Sequence, residues 1–219
     1  MISPIPYLDC VILAAAVYPS GFSYSLFRSW KGTPHEVSSA FLFVLALPFV
    51  CVIVALAAVY PQVFTFRGAS VPMFAVAVLL APAALLIEYC VHAIESYRLT
   101  GRFPRAIAVQ RFWLSGLSPT DYLLLMLVVI GEEIFYRGFW FAILQGSFSF
   151  PSWLAVGVSS LAYGVNHLAF GRTTVISKTA VGILFSSLYL FGGKSLWLPI
   201  VSHGLQNVTL LMLAKERHA

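Results

Sequence analysis

The sequence is strongly apolar for its length. Of 219 residues, 60% are hydrophobic and only 10% are charged, whereas soluble domains carry about 25% charged residues. This composition excludes an ordinary soluble domain and indicates an integral membrane protein. Continuous apolar runs of roughly 20 residues fit helices that cross a hydrocarbon core, not the short alternating strands of a closed barrel. The net charge of +5 therefore concerns membrane orientation, and no nucleic acid partner is expected.

The apolar runs predict an all-α fold, a polytopic transmembrane bundle of about seven membrane helices. We expect the spans at roughly 5–27, 38–60, 71–95, 120–145, 152–169, 174–192 and 195–214. The start of the chain has no basic segment before its first apolar run, so no cleavable signal peptide is expected. We predict one bundle divided into N-terminal helices with a basic cytoplasmic loop (1–117), a core (118–214) and a short tail (215–219).

The distribution of lysine and arginine predicts the orientation, because short basic loops tend to remain cytoplasmic. Basic residues are frequent in one set of alternating loops and sparse in the other. The frequent set comprises Arg28, Lys31, Arg98, Arg102, Arg105, Arg111, Lys215 and Arg217, and the sparse set comprises Arg67 and Lys194. We therefore expect a multi-pass membrane protein with its N-terminus outside and its C-terminus in the cytoplasm.

The three cysteines, Cys10, Cys51 and Cys90, lie within apolar runs and have no paired spacing. We interpret them as small buried hydrophobic residues, not as disulfides or metal ligands.

The fourth predicted span carries charges that are costly inside a bilayer. Glu132, Glu133 and Arg137 lie in its middle, and each charged side chain there costs about 2.5–3.5 kcal/mol on insertion scales. Glu133 and Arg137 are four residues apart, so they share a helical face and can form an ion pair. Glu132 points about 100° away around the helix and is free to face another neighbour.

Two other spans carry groups that complement this carboxylate. The fifth span ends with Tyr163 and His167, and the seventh contains His203 and Asn207, which share a helical face. Each has a structural explanation alone, since polar side chains also join membrane helices by hydrogen bonds. Together they supply a carboxylate that accepts a proton, an imidazole near it, and an imidazole and amide that donate hydrogen bonds. These are the parts needed to activate a water molecule and stabilise a tetrahedral oxyanion.

At these residues the sequence resembles the CPBP (Abi) family of intramembrane glutamic proteases, which includes type II CAAX prenyl proteases and lysostaphin resistance protein A-like proteins. The family pattern is Glu-Glu-x-x-x-Arg, then Phe-x-x-x-His, then His-x-x-x-Asn or Asp, on separate membrane helices. All three motifs occur in order, within about 118–214, and the second opens with Tyr163 instead of phenylalanine.

The resemblance implies a role for each matching residue. Glu132 would be the general base, His167 would bind and polarise the water, and His203 with Asn207 would form the oxyanion site. Glu133 and Arg137 would hold Glu132 in register, and Tyr163 would support the site. The implied activity is cleavage of a peptide bond in a membrane-associated or exported protein or peptide, without a cofactor; the sequence does not indicate an oligomeric state.

Three alternatives remain open at the level of sequence. A zinc protease would use Glu132, His167 and His203, with Glu133, as possible ligands, although His-Glu-x-x-His is lacking. A non-catalytic immunity or scaffold protein would keep the same residues as a binding pocket. A transporter would explain three polar residues on one face of the third span, namely Glu88, His92 and Glu95. The favoured interpretation is that Glu95 lies near the lipid headgroups and that Glu88 and His92 form hydrogen bonds within the bundle.

Overall fold

The computed structural model describes residues 17–31, 39–104 and 118–215, and within these ranges it contains helices and no strands. The predicted all-α fold is thus confirmed. The α-helices are α1 (Pro19–Lys31), α2 (Ser39–Val59), α3 (Val71–Thr100), α4 (Pro119–Glu133), α5 (Trp140–Gly146), α6 (Ser152–Val165), α7 (Arg172–Phe191) and α8 (Trp197–Lys215). Short 3-10 helices cover Pro61–Val63 and Leu168–Phe170, and a π-helical segment, Ile134–Phe139, joins α4 to α5.

Three of the described helices, α2, α3 and α7, are long and apolar enough to span a membrane. Each exposes large apolar side chains on the outside of the bundle, such as Val54, Leu79 and Ile176. Lipid can cover such faces, which is why apolar residues in these helices need not be buried in protein. The prediction that the cysteines are buried is wrong for Cys51 and Cys90, which are exposed free thiols on these outer faces. Cys10, Arg105, Arg111 and Arg217 lie outside the described residues.

The first predicted span has the wrong bounds. Its described part does not run through Pro19; instead α1 begins at Pro19 and continues to Lys31, beyond the predicted end. Proline has no amide hydrogen and a fixed φ, so it suits the first turn of a helix and not its interior. The remaining predicted spans correspond to α2, α3, the α4–α5 unit, α6, α7 and α8, although α6 ends four residues earlier than expected.

The start of α4 is fixed by a capping box. Asp121 N–H donates to Ser118 Oγ at 3.3 Å, and Ser118 N–H donates back to Asp121 Oδ2 at 2.7 Å. Pro119 occupies the first helical position, where a missing amide hydrogen costs nothing. These contacts set the register of the helix that carries the two glutamates.

The helix widens immediately after the glutamates. Residues Ile134–Phe139 form π-helical turns, so that Trp140 N–H donates to Phe135 O five residues back. The sequence predicts a continuous α-helix here, and the wide turns are a finding of the structure; such segments are frequent at functional sites. At Gly138 the segment approaches another part of the chain, because a Cβ there would lie 2.6 Å from the Val63 carbonyl oxygen.

Helices α6 and α7 form a closely packed pair beside this segment. A Cβ on Gly164 would overlap the Thr179 side chain, and one on Gly182 would lie 3.1 Å from Ser160. Ser160 and Ser186 also share a hydrogen bond of 3.3 Å between the helices. Helix α3 packs against α7 and α8, and α2 packs against α4. The bundle thereby brings the polar parts of α4, α6, α7 and α8 into its interior.

Candidate active site

The three charged residues of the fourth predicted span are all buried in the bundle. Glu132 is the last residue but one of α4, Glu133 ends α4, and Arg137 lies in the π-helical segment. Glu133 and Arg137 have no exposed surface, and Glu132 has almost none. Buried charges are stable only when they are paired and hydrogen-bonded, so the neighbours of each group define the site.

Glu133 is paired with two cationic or hydrogen-bond-donating side chains. Arg137 Nη1 donates to Glu133 Oε1 at 3.2 Å, and His203 Nδ1 donates to the same oxygen at 2.8 Å. The predicted Glu133–Arg137 pair is therefore present. Its second partner, His203, was not anticipated: Glu133 links α4 to α8 and orients the imidazole.

Arg137 is held from three sides. Besides Glu133, its Nη2 donates to the Gly182 carbonyl on α7 at 3.2 Å. Its guanidinium carbon lies 4.6 Å from the centre of the Tyr163 ring on α6. The cation thus connects α4, α6 and α7 and uses the aromatic face of Tyr163 as well as oxygen acceptors.

Glu132 faces away from this pair, towards three other polar side chains. Asn166 Nδ2 donates to Glu132 Oε1 at 3.2 Å. His167 Nε2 lies 3.8 Å from Oε1, and His203 Nε2 lies 3.8 Å from Oε2. The structure therefore brings both predicted histidines to the predicted base, one on each carboxylate oxygen.

His167 lies just beyond the end of α6, where the chain turns towards α7. Its Nδ1 donates to the Tyr163 carbonyl at 2.9 Å. A carbonyl oxygen only accepts, so Nδ1 carries the proton and the neutral ring presents the Nε2 lone pair to Glu132. Both atoms are acceptors 3.8 Å apart, so they do not bond to each other directly, and a water molecule that joined them would donate to both.

The Tyr163 hydroxyl group lies 3.4 Å from His203 Nε2. Phenylalanine, which the family pattern has at this position, lacks this hydroxyl. The ring itself is fully buried between Arg137 and the imidazoles. Tyr163 therefore supports the site through its aromatic body, as expected, and adds one polar contact.

Asn207 lies one turn after His203 on α8 and is half-buried. Among the described residues, the polar contacts of Glu132 come from Asn166, His167 and His203, so the structure does not bring Asn207 to the carboxylate. At this position Asn207 is suited to contact a bound substrate, not Glu132.

Two further residues near the site were not singled out in the sequence. Asn166 contacts Glu132 directly, and Ser20 on α1 contacts Asn166. Asn166 could have been identified from the sequence, because burying an amide in a membrane segment is costly and any asparagine there is a candidate for a specific role. No sequence motif linked Ser20 to the site.

A second buried ion pair accounts for part of the third span. Lys178 Nζ on α7 lies 2.5 Å from Glu88 Oε1 on α3. The favoured interpretation was that Glu88 and His92 form hydrogen bonds within the bundle, and the structure gives Glu88 a partner in the bundle, on another helix. Because the charge of Glu88 is compensated by a lysine, the pair joins two helices without requiring a transport path.

The residues considered for zinc have other partners in this arrangement. His203 Nδ1 donates to Glu133, and both Nε2 atoms lie 3.8 Å from Glu132. Within residues 17–31, 39–104 and 118–215, no group of three histidine, cysteine or acidic side chains has a geometry that would hold a metal ion.

A comparison with known protein families points to the same segment of the chain as the three motifs. Residues 116–209 match the family described as Type II CAAX prenyl endopeptidase Rce1-like. The match includes all three motifs, so the family resemblance predicted from them is confirmed for this segment. Searches of curated proteins and of solved structures found no match.

Proposed function

We propose that this chain, whose residues 116–209 match the type II CAAX prenyl endopeptidase Rce1-like family, is an intramembrane endopeptidase that uses Glu132 to activate water. The family is one of proteases, and the apolar helices make the chain an integral membrane protein. The observation that carries the proposal is the buried Glu132 carboxylate between two imidazoles, with His167 offering a lone pair and His203 tied to a second carboxylate.

In the first step, a water molecule donates hydrogen bonds to Glu132 Oε1 and His167 Nε2. Glu132 takes one proton as the water oxygen attacks the carbonyl carbon of the scissile peptide bond. General base catalysis of this kind contributes about 10²–10⁴-fold to the rate. Because the site is buried, the carboxylate acts where few other water molecules compete for its hydrogen bonds.

In the second step, the negative charge on the carbonyl oxygen is stabilised by donors on α8. His203 supplies Nε2–H when both its nitrogens are protonated, and the neighbouring Glu133 carboxylate provides the counter-charge. The Asn207 amide is the second donor. With His203 protonated, the two carboxylates are balanced by the imidazolium and the Arg137 guanidinium. The tetrahedral intermediate then collapses, the C–N bond breaks, and Glu132 returns its proton to the leaving amine.

The substrate class we propose is a membrane-associated or exported protein or peptide, cleaved without a cofactor. From the distribution of Lys and Arg we place the N-terminus outside and the C-terminus in the cytoplasm, and from the family resemblance we place the chain in a prokaryotic plasma membrane. At 1.5 Å per residue, Glu132 lies about 18 Å from the predicted cytoplasmic start of its span, so the peptide bond is cut at mid-membrane depth.

The test uses purified protein in lipid nanodiscs with an internally quenched, farnesylated CAAX peptide as the probe. In parallel, terminal peptides of cells that carry wild-type or Glu132→Gln protein are compared by mass spectrometry, to detect natural substrates without assuming prenylation. We expect Glu132→Gln to abolish cleavage in both assays, by at least a hundredfold for the peptide. The control is Glu95→Gln, which neutralises a glutamate of α3 outside the site. Equal terminal peptides and equal cleavage with Glu132→Gln would reject a catalytic role and leave a scaffold.

A further inference from the structure

Asn166 joins the first described helix to the proposed catalytic base. Its Nδ2 donates to Glu132 Oε1 at 3.2 Å and to Ser20 Oγ at 2.8 Å. Its Oδ1 accepts from the Ser20 backbone N–H at 2.8 Å. All three residues are buried, so water does not replace these bonds cheaply.

The Ser20 backbone fixes which end of the amide faces the carboxylate. The oxygen and nitrogen of an asparagine amide have nearly the same shape, and their assignment normally rests on the surrounding hydrogen bonds. A backbone N–H can only donate, so Oδ1 must face Ser20 and Nδ2 must face Glu132. The flipped amide would place an oxygen 3.2 Å from a carboxylate oxygen, where no hydrogen is available to join them.

This N–H is available because of its place in α1. Ser20 is the second residue of a helix that begins at Pro19, and the first four N–H groups of an α-helix have no partner within it. Helix α1 lies outside residues 116–209, which match the protease family. The contacts around Glu132 thus depend partly on α1, a segment that carries none of the three motifs.

We propose that Asn166 is a positioning residue for Glu132 and that Ser20 sets the orientation of Asn166; this rests on the proposed function. The single Nδ2 bond to Oε1 restricts rotation of the carboxylate. With that rotation restricted, Oε1 stays on the side of His167 and Oε2 on the side of His203. The water-binding side and the oxyanion side of the base are thereby kept distinct.

Four variants separate the contributions of the Asn166 amide, the Ser20 backbone N–H and the Ser20 hydroxyl. Asn166→Ala removes the whole link. Ser20→Pro removes both the backbone donor and the hydroxyl acceptor, in the first turn of the helix, where proline is tolerated, so its difference from Ser20→Ala isolates the backbone N–H. Ser20→Ala keeps the N–H and removes only the hydroxyl. Ser23→Ala is the matched control, because Ser23 is also buried on α1 but, among the described residues, its hydroxyl donates to Pro19 O within its own helix.

Each variant is measured in two ways in nanodiscs. Cleavage of the farnesylated peptide gives kcat and KM. For the second measurement, each protein is labelled with ¹³C-glutamate and its infrared spectrum is compared with that of the same protein carrying Glu132→Gln. The difference isolates the carboxyl band of Glu132, and the measurement requires no turnover. A residue that merely stabilises the fold would change the melting temperature but would move neither this band nor kcat in the folded fraction.

We expect Asn166→Ala and Ser20→Pro to shift the Glu132 band and to lower kcat by about 10- to 100-fold with KM within about twofold, as for loss of a hydrogen bond to a charged group. The double variant should be no slower than Asn166→Ala. Ser20→Ala should lose less than Ser20→Pro, and Ser23→Ala should match wild type.

An unchanged band and kcat in Asn166→Ala would overturn the proposal, and a wild-type band in Ser20→Pro would remove Ser20 from it. Where Ser20→Pro fails to fold, Asn166→Asp replaces it: an oxygen facing Glu132 should slow cleavage more than Asn166→Ala, and a wild-type rate would again overturn the proposal. If wild-type protein cleaves nothing, the proposed function fails, and the infrared band alone decides whether Asn166 positions the carboxyl group.

Discussion

The buried Arg137 offers the sharpest test of how the site is held together. Arg137→Met keeps the length and apolar stem of the side chain but removes its charge. Within the described part of the chain, Glu133 then remains buried with His203 as its one partner, and the Gly182 carbonyl loses the Arg137 donor. Breaking a buried ion pair by removing one partner costs about 3–5 kcal/mol. At about 2–4 °C per kcal/mol for a chain of this size, the melting temperature should fall by on the order of 10 °C.

The assay is thermal unfolding in nanodiscs, followed by intrinsic tryptophan fluorescence. The double variant Arg137→Met with Glu133→Gln should melt at a higher temperature than Arg137→Met alone, because neither charge is then left uncompensated. Arg172→Met, at an exposed position at the start of α7, should change stability by less than about 0.5 kcal/mol. A melting temperature within 2 °C of wild type for Arg137→Met would refute the reasoning, as would strictly additive effects in the double variant; the 2 °C limit corresponds to about 1 kcal/mol.

Three further predictions follow from single contacts. Tyr163→Phe removes only the hydroxyl that lies 3.4 Å from His203 Nε2, so kcat for the peptide probe should fall by less than about tenfold, and a thousandfold loss would make the hydroxyl part of the chemistry. Gly138→Ala places a Cβ 2.6 Å from the Val63 carbonyl oxygen and should destabilise the protein by about 1–3 kcal/mol in the same unfolding assay, whereas a wild-type melting temperature would contradict the close approach. Peptide cleavage should survive 1,10-phenanthroline, and elemental analysis of active protein should find less than stoichiometric zinc; inhibition that is reversed by added zinc would favour the metal alternative.

The membrane character and the helical class of this protein follow from the sequence alone. Apolar runs of about 20 residues leave the backbone no alternative to helices in lipid, so the pattern predicts α2, α3 and α7 directly. The Glu133–Arg137 pair also follows from local spacing, because residues four apart lie on one face of a helix. The motif order was enough to indicate the protease family, which the match over 116–209 supports.

The ends and the local geometry of the helices were less predictable where local sequence preferences compete with tertiary contacts. The chain turns after Val165, so His167 lies in a turn and not in a helix. The π-helical turns around Arg137 and the outward position of Cys51 and Cys90 depend on which neighbours, protein or lipid, each face meets. Hydrophobic content does not distinguish these environments.

The tertiary structure decided how the polar groups are shared among the helices. Helical spacing shows that His203 and Asn207 share a face, but it cannot show that Glu133 orients His203 or that Lys178 compensates Glu88, since these contacts join separate helices. The same holds for Asn166: its amide contacts both Glu132 on α4 and the Ser20 backbone N–H on α1, and the second contact spans 146 residues of sequence. The sequence thus predicts charged groups within apolar segments, and the packing of the bundle determines which polar groups contact Glu132.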